Sequence, residues 1–91
     1  MSAVLLEQSF VSYSEQRARL HAGLSRLWVL HHRLVAALER AIGKQDYRSA
    51  ASAQRNIGRC ETHVVRLELR ISQLFCARER RREMAAASTA L

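Results

Sequence analysis

Gly43-Lys44-Gln45-Asp46 is the stretch that decides the fold, because it separates two runs of more than 30 residues that are each typical of helix. Gly43 follows Ile42, the last apolar residue of the first run, and glycine takes the left-handed conformation that ends a helix without a Cβ penalty. Asp46 lies where a second helix would begin, and its carboxylate can accept hydrogen bonds from the first free amides. We therefore expect a short turn that joins two antiparallel helices. The alternative is one unbroken helix that tolerates a glycine in its interior.

The bounds of the helices follow from local signals. Ser12-Tyr13-Ser14-Glu15 has the form of a capping box, which predicts a first helix over about residues 12–42. That helix can instead begin a few residues from the N-terminus, since nothing in residues 1–11, a short amphipathic segment, forbids it. The second helix is expected over about residues 47–84. Residues 85–91 have no packing pattern, and we expect this tail to fray.

Both runs carry a heptad pattern of apolar residues, the signature of a coiled coil. In the first run the a and d positions hold Leu20, Leu24, Leu27, His31, Leu34, Leu38 and Ala41. In the second run they hold Ala50, Ala53, Ile57, Cys60, Val64, Leu67, Ile71 and Leu74. The next such position is Arg78, so we expect the apolar seam to end after Phe75. The sequence predicts an all-α fold, an antiparallel two-helix coiled-coil hairpin.

The two runs differ in the residues that flank the seam. The second run has polar flanks, as a two-helix contact requires, whereas the first has apolar residues on both flanks and also Val29 on its outer side. One partner helix cannot cover so wide a face. We expect the face to bind another helical protein, a second copy of this chain in a four-helix bundle, or the N-terminal segment folded back. The predicted partner-binding residues are Leu27, Trp28, Leu30, Val35, Leu38 and Ile42.

The composition limits the class of protein. The chain has 91 residues and no proline, which suits one small helical domain. No apolar run is long enough to span a membrane, and the N-terminus lacks the basic and apolar regions of a secretory signal. Cys60 and Cys76 would lie about 24 Å apart on one helix, too far for a disulfide within one chain. These features together predict a cytoplasmic protein.

The net charge of +7 raises the question of nucleic-acid binding. The basic excess is spread along the chain, which is typical of a solvated face. The first helix nevertheless has a seven-spaced stripe, Arg26, Arg33 and Arg40, and the second has a broader one, Arg48, Arg55, Arg59 and Arg66. In a homodimeric four-helix bundle these stripes would follow a phosphate backbone, so a nucleic-acid-binding regulator is the alternative function.

Residues with catalytic or metal-binding chemistry are few. His31, Cys60 and His63 would approach one another in a hairpin, and imidazole with thiolate is the chemistry of zinc sites. The competing interpretation, which we prefer, is a polar layer in the seam that fixes register, with Cys60 an ordinary buried thiol. There is no phosphate-binding loop, nucleophile motif or inward pair of carboxylates, and Glu61 and Glu68 are expected to pair with arginines. We expect no catalysis, cofactor, metal or small-molecule substrate.

Two resemblances accompany this reading. Asp46-Tyr47-Arg48-Ser49-Ala50-Ala51, followed by Ile57, is similar to the core motif of UVR-type interaction hairpins, and no function is carried over from it. The stretch from Leu34 to Arg70, with Leu38, Tyr47 and Leu67, resembles the needle-subunit co-chaperones of bacterial type III secretion. The second resemblance implies a cytoplasmic chaperone subunit that binds a partner chaperone and shields an aggregation-prone export substrate.

Overall fold

Two long helices account for the described chain. Helix α1 spans Ser2–Gly43 and helix α2 spans Tyr47–Thr89. The structure is a computed structural model that describes the backbone of residues 2–89 and the side chains of residues 13–89. The helices pack against each other to form a rod 69 Å long and 24 Å by 15 Å across. The predicted all-α helical hairpin is confirmed, and a single unbroken helix is excluded.

The seam between the helices uses the predicted heptad positions. Every a and d residue predicted from Leu20 to Leu74 is buried or half-buried, and the buried ones are Ala41, Ala53, Cys60 and Val64. Small side chains in the centre allow the helices to approach closely. The thiol of Cys60 donates a hydrogen bond of 3.2 Å to the carbonyl oxygen of Leu27 across the seam. A Cβ built on Gly23 would lie 3.4 Å from Cδ1 of Leu67, so Gly23 also marks a close approach.

The turn differs from the prediction in one respect. Gln45, with a φ of 57°, takes the left-handed conformation, whereas no glycine in the described part of the chain has a positive φ. The amide of Gln45 donates to the carbonyl of Ile42 at 3.0 Å, and the amide of Asp46 donates to that of Ala41 at 2.9 Å. This pair of bonds is the Schellman motif with Gln45 at C′. The expectation that Gly43 is the left-handed residue was therefore wrong, because α1 continues through it.

Asp46 caps α2 as predicted. Its Oδ1 accepts a hydrogen bond of 3.1 Å from the backbone amide of Ser49, and its Oδ2 accepts one of 2.7 Å from the Ser49 hydroxyl. These bonds, with a smaller effect from the positive charge of Lys44, hold the pKa of the Asp46 carboxyl below its usual range. Asp46 thus closes the Schellman motif of α1 with its amide and begins α2 with its side chain.

Helix α1 takes the earlier of its two expected starts, and helix α2 is longer than expected. Helix α1 begins at Ser2, so Ser12 lies inside it and is not an N-terminal cap. Helix α2 continues to Thr89 because residues 77–89 are rich in alanine, arginine and glutamate, which favour helix. Contact between the helices also extends beyond Phe75, since the guanidinium of Arg78 lies 4.6 Å from the ring centroid of Tyr13. The side chains of residues 1–12, and residues 90–91 of the expected tail, lie outside the described part.

Candidate interaction surface on the first helix

The part of α1 that α2 leaves uncovered carries large apolar side chains. Trp28, Val29, Leu30 and Ile42 are all exposed, and we call these four residues the outer apolar face. Trp28, the sole tryptophan of the chain, is 47% exposed. Single exposed apolar residues are common on proteins, but Trp28 and Leu30 each line a groove together with Val29, so these three side chains form a patch. This patch is the feature of the structure that most resembles a binding surface.

The six residues predicted to bind a partner divide into two groups. Trp28, Leu30 and Ile42 are exposed and belong to the outer apolar face. Leu27, Val35 and Leu38 are half-buried, and two of them occupy seam positions against α2. Leu27 is additionally tied to α2 by the hydrogen bond from Cys60. Trp28, Leu30 and Ile42 therefore offer the most surface to a partner, and the other three mainly support the hairpin.

Two shallow grooves run along the outer surface of α1 and share Val29 and Arg33. One is lined by Trp28, Val29, His32, Arg33 and Ala36. The other is lined by Ser25, Arg26, Val29, Leu30 and Arg33. Their floors are apolar and their edges basic, and no carboxylate lines either of them. The nearest acidic residue on this side of α1 is Glu39, seven residues beyond His32.

The arginine stripe predicted on α1 lies beside these grooves. Arg26, Arg33 and Arg40 are exposed. Among residues 13–89, the ion pairs are His31 with Glu61 and Arg82 with Glu79, so the stripe has no carboxylate partner there. Three positive charges spaced by seven residues are therefore available to an anionic partner.

Trp28 is linked to α2 through His31. The rings of Trp28 and His31 meet edge to face, with centroids 5.4 Å apart and an interplanar angle of 74°. The Nε2 of His31 in turn lies 3.1 Å from Oε1 of Glu61. We expected Glu61 to pair with an arginine, and that expectation was wrong because the imidazole is the basic group within reach. The contacts place the Trp28 ring at the edge of the seam.

The hypothetical zinc ligands do not come together. The thiol of Cys60 is directed to the carbonyl of Leu27, His31 contacts Glu61, and His63 is exposed. Within the described residues, no group of three or more His, Cys, Asp or Glu side chains is arranged to hold a metal ion. His31 instead forms a polar layer in the seam, which agrees with the interpretation that the sequence favoured.

The sequence missed some exposed apolar residues. Val29 is not among the six residues predicted to bind a partner, although it lines both grooves. On α2, whose flanks were described as polar, Val65, Leu69 and Phe75 are exposed. Val65 and Leu69 are four residues apart and thus adjacent on the helix surface. Their heptad positions point outward, which is the signal that would have identified them.

Comparisons with known proteins identify no relative. No family model matches the chain, and no curated protein and no solved structure matches it. The structure thus defines a class, the two-helix hairpin, without assigning a family. Within the described residues, neither helix is long and apolar enough to cross a membrane.

Proposed function

We propose that this protein is a non-catalytic interaction module, an adaptor or chaperone-type protein, that binds a helix through the outer apolar face of α1. The bound helix belongs to another protein or to a second copy of the chain. The observation that supports the proposal is that Trp28, Val29 and Leu30 remain exposed in the middle of a helix that already packs on α2.

The physical argument is one of unburied apolar surface. Fully burying an exposed side chain the size of leucine contributes about 1.5–3 kcal/mol. Trp28, Val29 and Leu30 are each about half exposed, so covering all three favours association by roughly 2–4 kcal/mol before the costs of ordering. Tryptophan is also among the residue types that most often dominate binding energy at protein interfaces. The partner is a helix because the grooves follow the axis of α1 and suit an amphipathic helix laid along it.

A narrower form of the proposal is the co-chaperone role in type III secretion that the resemblance of residues 34–70 implies. It would require a partner chaperone to cover the outer apolar face. Its support is the hairpin layout and the exposed face, and the comparisons contain nothing that links this chain to such a system.

The experiment combines light scattering with a neutral amphipathic helical peptide whose polar positions are glutamine. Wild-type protein should either form a dimer or, as a monomer, bind the peptide with a change in Trp28 fluorescence. Trp28→Ala should weaken the dimer, or the binding of a fluorescently labelled peptide, while the helical circular dichroism signal stays largely intact. Leu69→Ala is the matched control, since Leu69 is exposed but lies on α2. A monomer that binds no helical peptide would refute the proposal.

The second candidate function is a homodimeric nucleic-acid-binding regulator. The observation in its favour is the exposed stripe of Arg26, Arg33 and Arg40, which has no carboxylate partner within residues 13–89. Binding of a short labelled RNA duplex should fall steeply with salt and be lost when the three arginines become glutamine. Affinity that is indifferent to salt would exclude this candidate.

A further inference from the structure

We infer that the occupant of the α1 grooves is an acidic amphipathic helix, one whose apolar stripe is flanked by aspartate or glutamate. This inference rests on the proposed function and specifies the chemistry of its partner. Its basis is the arrangement of apolar and charged groups around Val29.

The grooves require an apolar stripe. Val29 lines both, with Trp28 on one side and Leu30 on the other. These three side chains lie at successive positions, about 100° apart around α1. A partner helix that lies over Val29 would therefore touch the near edges of Trp28 and Leu30 while burying Val29 beneath it. Such contact needs apolar residues at spacings of three and four on the partner.

The edges of the grooves require negative charge. Arg33 lines both grooves, Arg26 lines one and His32 lines the other, and no carboxylate lines either. A partner with lysines beside its apolar stripe would place like charges together, which opposes binding. Carboxylates at seven-residue spacing, on the contrary, would meet Arg26, Arg33 and Arg40 in turn, because two helices laid side by side share the same rise per residue. Arginine pairs well with carboxylates when water is partly excluded.

Charge also disfavours a second copy of the chain as the occupant. The protein carries +7, and packing two α1 helices together across these grooves would bring two sets of the same arginines into one interface. The acidic residues of α1 within residues 13–89 are Glu15 and Glu39, against five arginines, and Glu61 on α2 is engaged by His31. A separate acidic helix would neutralise the positive charges of the arginine stripe, whereas a second copy would double their number in the interface.

The test uses four peptides and wild-type protein. Three are helical and share one apolar stripe, with glutamate, glutamine or lysine at the flanking positions. The fourth is a scrambled glutamate peptide that has no stripe. Binding is followed by the fluorescence of Trp28. The glutamate peptide should bind about tenfold more tightly than the glutamine peptide at low salt, a difference of about 1.4 kcal/mol, and the lysine peptide most weakly. The three affinities should converge as salt rises, because screening weakens exposed ion pairs.

Two charge-reversal variants locate the effect. Arg33→Glu should abolish or reverse the preference for the glutamate peptide. Arg55→Glu makes the same change in net charge at an exposed position on α2 and should preserve the preference. Circular dichroism of both variants verifies that the hairpin is intact. Equal loss in both variants would mean that net charge, rather than the groove, controls binding, and would overturn the inference.

The remaining outcomes separate the inference from the proposed function. Equal binding of the glutamate and glutamine peptides overturns the acidic partner but leaves helix binding standing. Binding of the scrambled glutamate peptide as tightly as the helical one overturns it in favour of general polyanion binding, the property of a nucleic-acid binder. If the protein forms a dimer that dissociates in Trp28→Ala, and this dimer binds none of the peptides, then the occupant of the grooves is a second copy of the chain and the inference is overturned. If the protein neither binds a peptide nor forms a dimer, both the inferred acidic partner and the proposed helix-binding function are overturned.

Discussion

The imidazole Nε2 of His31 lies 3.1 Å from the carboxylate Oε1 of Glu61, and this polar contact joins a side chain of α1 to one of α2. Its neighbours along the seam of α1 are Leu27 and Leu34, so one polar layer interrupts an apolar seam. Polar layers of this kind fix the register of a coiled coil at a cost in stability. His31 also contacts Trp28, which connects the seam to the outer apolar face.

Replacing His31 should raise the stability of the hairpin. The side chain of His31 is 21% exposed and that of Glu61 is 59% exposed, so the polar contact between them is partly solvated and contributes less than about 1 kcal/mol. Leucine at position 31 would bury more apolar surface against α2. We expect His31→Leu to increase the free energy of unfolding in urea by about 1 kcal/mol. Glu61→Gln, which retains an acceptor for the imidazole, should change it by much less. A clear loss of stability in His31→Leu would mean that the polar layer stabilises the seam.

The two cysteines should differ sharply in reactivity. Cys60 is 3% exposed and donates to the carbonyl of Leu27, whereas Cys76 is exposed on α2. A thiol reagent such as dithionitrobenzoate should therefore modify Cys76 rapidly, and Cys60 only at the rate at which the hairpin opens. Cys76→Ser should remove the fast phase, and urea should merge the two phases in the wild type. Fast reaction of both thiols in the native protein would contradict the packing at Cys60.

The seam and the turn differ in how well the sequence specified them. A heptad repeat fixes which residues face a partner helix, so the seam was predicted almost residue by residue from Leu20 to Leu74. The position of the left-handed residue depends on where the last hydrogen bonds of α1 form, and glycine is only a preference there. Gln45 occupies that position, and the next residue, Asp46, both donates to the carbonyl of Ala41 and caps α2.

The candidate surface was predicted in outline only. The apolar flanks of α1 indicated a wide face, but heptad position alone does not decide which flank residues remain exposed. Val35 is half-buried while Ile42, at the equivalent heptad position, is exposed. The absence of carboxylates from the groove edges is likewise a property of side-chain placement, since Glu39 is close in sequence but does not line either groove.

Two substitutions in the turn test the assignment of its backbone. Gln45 has a Cβ, which makes its left-handed conformation sterically unfavourable. Gln45→Gly removes that penalty and should increase the free energy of unfolding by about 1 kcal/mol. Gly43 has no positive φ, and a Cβ there would meet no atom within 4 Å. Gly43→Ala should therefore stabilise the protein by about 0.5–1 kcal/mol through helix propensity. If Gly43→Ala instead destabilises the protein and Gln45→Gly does not stabilise it, then Gly43 rather than Gln45 is the residue with the left-handed conformation.

The cap at Asp46 should make part of the stability depend on acid pH. The Ser49 hydroxyl and amide, and to a lesser degree Lys44, lower the pKa of Asp46 in the folded protein. A carboxyl whose pKa is lower when folded stabilises the protein above its ordinary pKa of about 4, and this contribution disappears as the pH falls through the folded pKa. Asp46→Asn keeps an acceptor for the Ser49 amide but does not titrate.

The melting temperature of the wild type should therefore exceed that of Asp46→Asn at pH 7, and the difference should shrink as the pH falls below about 4. The other carboxylates titrate in both proteins, so the difference isolates Asp46. Asp46→Ala, which removes the cap entirely, should melt lowest at neutral pH. A difference that stays constant into acid would show that the charge of Asp46 contributes nothing and that the cap acts through hydrogen bonding alone.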